Sequence, residues 1–280
     1  MTQPPANRRP SNSMVIAGIL ILILAIVTVY SAFTVFQLPD PVTEQGERIN
    51  TFYQPVMVIS FAVFLLVTSA LIFAVFRYQR RGPEIPEQIH GSSVLEMAWT
   101  IIPIIILVAL FVPAVALVID LKTPPSEDEA DIVVEAVGHQ WWWEFIYPDS
   151  GVRIQSTPPN YDEFDPPALV VPVGQTVLVK VRSTDVIHSF YAPQTLYKIQ
   201  AVPGNVNLLH FTVTKAGVYH GQCYQFCGLR HSDMLFVLDA RDPADYERWL
   251  QQTRQAQGLD DGAGTEIAVG GVSRDGTKAE

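Results

Sequence analysis

The chain has 280 residues, 49% hydrophobic and only 16% charged, against about 25% charged in ordinary soluble proteins. Its 28 acidic residues outnumber its 18 basic ones, a formal net charge of −10, which argues against a nucleic-acid partner because phosphate binding needs a basic surface. The imbalance is local. Apolar residues gather before residue 120, and the remainder reads as a globular domain large enough to bury a core.

Residues 1–13 are polar and Pro-rich and read as disordered. Three uncharged apolar runs follow, at 14–36, 56–76 and 98–119, each long enough to cross a bilayer, which takes about 20 residues. Arg8 and Arg9 precede the first run, as in a signal peptide. However, the run exceeds the apolar stretch of about 7–15 residues that such signals carry. Its bulky Tyr30, Phe33 and Phe36 also spoil a small-residue cleavage site. It is expected to be a retained extra transmembrane helix, with a signal-like segment as the alternative.

The second and third runs form a hairpin over 54–120, opening its last helix near Glu96 and joined by a loop at 77–96 with breakers Gly82, Pro83 and Pro86. Arg77, Arg80 and Arg81 sit in that loop, and basic residues favour the cytoplasmic side. Everything after Asp120 is therefore expected outside the cell membrane of a prokaryote. Residues 121–280 hold 21 Asp and Glu against 12 Lys and Arg, a net of −9, which suits a basic protein partner.

The outer domain, 121–255, reads as short strands at 132–137, 141–147, 152–155, 169–171, 176–181, 207–214, 218–222 and 235–238. They are rich in Val, Ile and aromatics and bounded by turn residues, the pattern of an all-β sandwich or barrel. One helix follows, with Asp242 as N-cap and Pro243 at the first helical position. The tail 256–280 has little to bury and reads as disordered.

The chemistry concentrates between His220 and Met234, in His-Gly-Gln-Cys-Tyr-Gln-Phe-Cys-Gly-Leu-Arg-His-Ser-Asp-Met. It contains both cysteines of the chain, Cys223 and Cys227, followed by His231 and Met234. Upstream, Asp185-Val-Ile-His-Ser-Phe puts His188 at what reads as the end of a strand. Thiolates with imidazoles select copper or zinc, and a single blue copper uses one Cys, two His and a Met. Here the cysteine is doubled, so two thiolates can bridge two coppers with a histidine for each. A disulfide and a tetrahedral zinc site are the rival readings; the zinc site leaves Met234 unexplained.

The pattern Cys-x-Gln-x-Cys-Gly-x-x-His-x-x-Met resembles the CuA loop of cytochrome c oxidase subunit II. Three further stretches are similar to that family: Glu96-Met-Ala-Trp-Thr-Ile-Ile-Pro, Gly138-His-Gln-Trp-Trp-Trp-Glu-Phe and Ala201-Val-Pro-Gly. The resemblance spans about residues 54–252. It implies a cupredoxin-like β-sandwich on a two-helix anchor. It also implies a binuclear copper centre held by His188, Cys223, Cys227, His231 and Met234, with the backbone carbonyl of Gln225.

By the same resemblance, Trp141 takes electrons from cytochrome c or a similar donor. Glu96 lies at the mouth of a proton channel into the haem-bearing subunit I, which with other oxidase subunits is the implied partner in oxygen reduction and proton pumping. Strand alternation places Trp141 and Trp143 on one face and Trp142 on the other. The plain reading of Glu96 is a carboxylate favoured by a helix N-terminus. A family magnesium site uses carboxylates where this chain has Gln225 and Gln200, so that site is expected to be absent or weakened. His139, His210 and His220 read as structural. No C-x-x-C-H motif is present, hence no haem in this chain. A quinol oxidase subunit II would lack the copper ligands. A tethered copper chaperone or reductase would need neither Glu96 nor the tryptophans.

Overall fold

A computed structural model describes residues 12–79, 90–156 and 166–259. The basic residues Arg8, Arg9, Arg80 and Arg81, the loop breakers, the chain start at 1–11 and the tail from 260 lie outside the described residues. Three long helices come first: α1 (Asn12–Thr34), α2 (Glu44–Arg77) and α3 (Ser93–Lys122). Each is long and apolar enough to cross a membrane. Their apolar side chains stay exposed along most of their length, as expected of segments whose natural surroundings are hydrocarbon.

Helix α2 begins well before its apolar run. Its 34 residues extend about 50 Å at ~1.5 Å per residue, more than the ~30 Å hydrocarbon layer requires. The surplus locks onto the β domain. Thr43 caps the helix, accepting from the Gly46 N–H at 3.0 Å, and Glu44 and Glu47 lie in the favourable first turn. Gln45 Oε1 accepts from the Thr212 N–H at 3.0 Å. Val42 donates to the Gln194 carbonyl (3.0 Å) and accepts from the Thr214 N–H (2.8 Å). Beside this latch Arg48 pairs with Asp120 of α3 at 2.7 Å, and the Tyr197 hydroxyl donates to the Leu121 carbonyl at 2.9 Å.

The outer domain is a sandwich of two five-stranded sheets. One contains β1 (Ile132–His139), β2 (Trp142–Ile146), β3 (Arg153–Gln155), β5 (Thr176–Ser183) and β8 (Asn207–Thr212), in the order β3-β2-β1-β5-β8. The other contains β4 (Ala168–Pro172), β6 (His188–Tyr191), β7 (Ile199–Ala201), β9 (Gly217–Cys223) and β10 (Leu235–Arg241), in the order β4-β10-β9-β6-β7. Helix α4 (Pro243–Ala256) closes the described chain. This is the cupredoxin-like sandwich that the sequence led us to expect.

Two strands were not foreseen. β6 and β7 have four and three residues, too short for a clear alternating pattern. His188, read as the end of a strand, instead opens β6 as its first residue. Trp141 is not in a strand: Gln140 and Trp141 form the turn between β1 and β2, whose last pair is His139 with Trp142. The aromatic run favoured a strand by propensity, but the tight hairpin takes its first tryptophan. Asp242 does occupy the N-cap of α4, yet its side chain makes no capping bond; its carbonyl accepts from the Asp245 and Tyr246 N–H groups instead.

Trp143, Phe145, Phe190 and Phe236 fill the core between the sheets. Phe190 and Phe236 stack at 4.4 Å, and Trp143 meets both edge-on. Gly221 on β9 lies directly against the Phe236 ring, so a Cβ there would overlap it. Phe236 is buried and packed against Trp143, Phe145 and Phe190, which resist its displacement. Gly221→Ala should therefore destabilise the domain by roughly 1–3 kcal/mol, read as a lower melting temperature. An unchanged melting temperature would show that the aromatic cluster is more yielding than its geometry implies.

Candidate metal centre

The loop between β9 and β10 runs from Tyr224 to Met234, with Cys223 as the last residue of β9. Its base is closed by the Cys223 N–H donating to the Met234 carbonyl at 2.9 Å. The Tyr224 N–H donates to Ser189 of β6 at 3.1 Å, which brings the loop beside His188. Within the loop, the His231 N–H reaches the Gly228 carbonyl (3.2 Å) and the Asp233 N–H the Arg230 carbonyl (3.0 Å), closing a 3-10 turn at His231–Asp233.

These constraints gather the donor atoms. Cys223 Sγ lies 3.9 Å from Cys227 Sγ, 3.9 Å from His188 Nδ1 and 3.2 Å from the Gln225 carbonyl oxygen. Cys227 Sγ lies 3.5 Å from His231 Nδ1 and 4.0 Å from Met234 Sδ. His188, Cys223, Cys227 and Met234 are buried, while His231 is half-buried at the edge. Both cysteines are free thiols, and their separation is well beyond the ~2 Å of a disulfide. A metal ion held at about 2.3 Å by each thiolate would fit that separation.

The electrostatics fit a cation. Burial pushes the Cys223 thiol up, but hydrogen bonding to His188 and to the Gln225 and Ser189 backbone outweighs it, leaving the thiol at about 7. Burial, followed by the neighbouring Cys223, pushes Cys227 up to about 12. Two adjacent thiolates in a dry pocket repel, and a metal between them removes the conflict. His188 Nε2 donates to Asp185 Oδ1 at 2.8 Å, which leaves Nδ1 facing the sulfurs. A carboxylate holding the far nitrogen of a metal-binding histidine is a recurrent arrangement. Asp185 also accepts from the Val186 N–H at 2.6 Å and the Gln140 N–H at 2.7 Å.

Trp141 is half-buried beside the loop, its indole N–H donating to the Cys227 carbonyl at 3.2 Å. Trp143 lies inside, edge-on to His188 at 6.1 Å. Trp142 stacks on His139 at 4.0 Å, whose Nδ1 is 2.8 Å from the Thr184 hydroxyl. His210 is buried in β8, and His220 is exposed on β9; neither joins the cluster. Gln225 and Gln200 are both exposed. Glu96 is in the first turn of α3, at the far end of that helix from the sandwich. Asp185 and Gln140 were not singled out from the sequence. The only available signals were their spacing, Asp185 three residues before His188 and Gln140 directly before Trp141.

Comparison with known proteins agrees with this geometry. The family model for the periplasmic domain of cytochrome c oxidase subunit II matches residues 132–241, and the one for its transmembrane domain matches residues 30–117. The chain is 33% identical over 220 residues to a protein of Rickettsia bellii named "Probable cytochrome c oxidase subunit 2", covering 75% of this chain and 81% of that one. It is 32% identical over 242 residues to cytochrome c oxidase subunit 2 of Cereibacter sphaeroides, covering 77% and 78%. A crystal structure of the periplasmic domain of subunit II of the Bradyrhizobium japonicum oxidase shares 30% identity, covering 48% of this chain and 99% of that one with a TM-score of 0.43. On the family models and the relatives, the chain belongs to the cytochrome c oxidase subunit II family.

Proposed function

We propose that this chain takes single electrons from a basic, cytochrome c-like donor at Trp141 and delivers them to haem in subunit I of the oxidase. The carrying observation is the donor set. Three sulfurs, two imidazole nitrogens and one carbonyl converge, two more than one tetrahedral ion accepts. Soft sulfurs with imidazoles suit copper, and six donors, the Gln225 carbonyl included, would serve two copper ions. When bound, the pair supplies a one-electron carrier whose charge spreads over both metals. The protein keeps that site dry and nearly fixed, since four of its ligands are buried beneath the aromatic core.

Trp141 connects directly to Cys227 through its indole hydrogen bond, which makes it the natural receiving point. The acidic outer domain attracts a basic donor. His231, half-buried where the other side-chain donors are buried, is the donor we assign to delivery. The sandwich lies on the extracytoplasmic side of the cell membrane, and the exposed apolar sides of α2 and α3 meet lipid and the haem subunit. Glu96 offers a carboxylate at the inner end of α3 for proton uptake. Gln225 and Gln200 present amides where a magnesium ion would want charged oxygens, so that site is weak or missing.

Four outcomes test this reading. Metal analysis and EPR of the full-length chain, loaded with copper in detergent, should give two coppers sharing one unpaired electron and no stoichiometric magnesium. Cys227→Ser should abolish the signal, because a hydroxyl is a poor bridge between soft metals; a zinc-only product would refute the assignment. Trp141→Phe should slow electron uptake from reduced cytochrome c on the order of tenfold, about 1.4 kcal/mol of barrier, with both coppers retained. Equal rates would remove Trp141 from the route. In the assembled oxidase, Glu96→Ala should slow turnover while leaving copper intact, and normal turnover would reduce Glu96 to a helix-terminal charge.

A further inference from the structure

We propose that Gln140 is a positioning residue for the metal centre. Its side-chain amide, with the Trp141 indole, pins the Cys227 carbonyl and so fixes both the direction of the Cys227 thiol and the seat of Trp141. The inference rests on the two-copper reading above.

The Cys227 carbonyl oxygen accepts two bonds from one turn: 2.7 Å from Gln140 Nε2 and 3.2 Å from Trp141 Nε1. A carbonyl held by two donors cannot rotate without losing both. The next residue, Gly228, has φ +122°, and a Cβ there would meet Trp141 Cζ2 at 3.1 Å and Gln140 Nε2 at 3.2 Å. The turn therefore lies flat on the Cys227–Gly228 peptide, with no room for a side chain between them. This locks the backbone from which Cys227 reaches Cys223 and His231.

Gln140 also acts on the second strand of the site. Its backbone N–H donates to Asp185 Oδ2, while Asp185 Oδ1 accepts from His188 Nε2. One residue thus touches Cys227 through its side chain and, by way of Asp185, His188 through its backbone. The side-chain link needs a donor, since the group it meets is a carbonyl oxygen. A carboxylate of the same shape would face that oxygen with no proton and sit near the Asp185 charge.

The test separates donation from packing. Gln140→Met keeps the length of the side chain and removes the amide; Gln140→Glu keeps the shape and removes the donor. In the full-length, copper-loaded chain, both variants should retain the copper pair but shift its EPR hyperfine pattern. They should also slow electron uptake from reduced cytochrome c by about 10-fold, the lower end of what supporting residues at metal sites contribute. Copper lost at an unchanged melting temperature would support the same role more strongly. Spectrum and rate equal to the unsubstituted protein in Q140M would overturn the inference alone. A lowered melting temperature with an intact spectrum would mark a merely structural role and overturn it too. An unsubstituted chain that binds no copper pair would overturn the two-copper reading and this inference together.

Discussion

Two sulfur atoms held 3.9 Å apart in a buried pocket are the constraint around which this domain is arranged. Neither thiol can shed its proton freely while the other is charged, because burial and like charge act in the same direction. Only a bound cation lets both ionise, and metal binding releases those protons as it proceeds. The surrounding structure exists to keep the sulfurs close despite that repulsion. The backbone bond from Cys223 to Met234 closes the loop, so the first and last sulfur donors of the loop are fixed to adjacent strands. Loop residues between them need supply only the turn and the remaining donors.

The sandwich provides the stiffness that the loop lacks. His188 comes from the other end of sequence space but arrives beside the cysteines because β6 pairs with β9, Phe190 opposite Cys223. Beneath it, Trp143 packs edge-on against the imidazole. Gly138 on β1 leaves the space this needs, since a Cβ there would meet His188 Cδ2 at 2.9 Å. The donor cluster and the aromatic core are thus one packed unit. Protein interiors at crystal-like density transmit small displacements, so a change in the core such as crowding Phe236 reaches the site as well as the stability.

What the sequence disclosed follows from where each signal resides. Cys223, Cys227, His231 and Met234 were legible because one hairpin loop carries them at fixed spacing. His188 was legible from its own short motif, although the strand it starts was too brief to show a period. The apolar runs identified three helices, but not the latch at the head of α2. Thr43 and Gln45 contact residues over 150 positions away, and no local pattern encodes such a meeting. The turn at Trp141 was hidden for a different reason: three consecutive tryptophans look like strand by propensity, whereas the register of the hairpin decides which one leaves the sheet. Gln140 and Asp185 are ordinary polar residues whose importance comes entirely from the partners that folding gives them.

The latch also ties the long helices to the sandwich. Glu96 and Lys122 lie in the first and last turns of α3, roughly 40 Å apart at ~1.5 Å per residue. A loosely tethered sandwich could tumble relative to that rod, and the distance from its metal loop to any haem would vary. Here the head of α2 is hydrogen-bonded into β8, while α3 is tied to the same region through Arg48–Asp120 and Tyr197–Leu121. The Arg48–Asp120 pair is exposed and contributes little by itself. The backbone bonds of Val42 and Thr214 are directional and fix the register between hairpin and domain. Electron transfer needs a fixed separation more than it needs extra stability, and those bonds hold it.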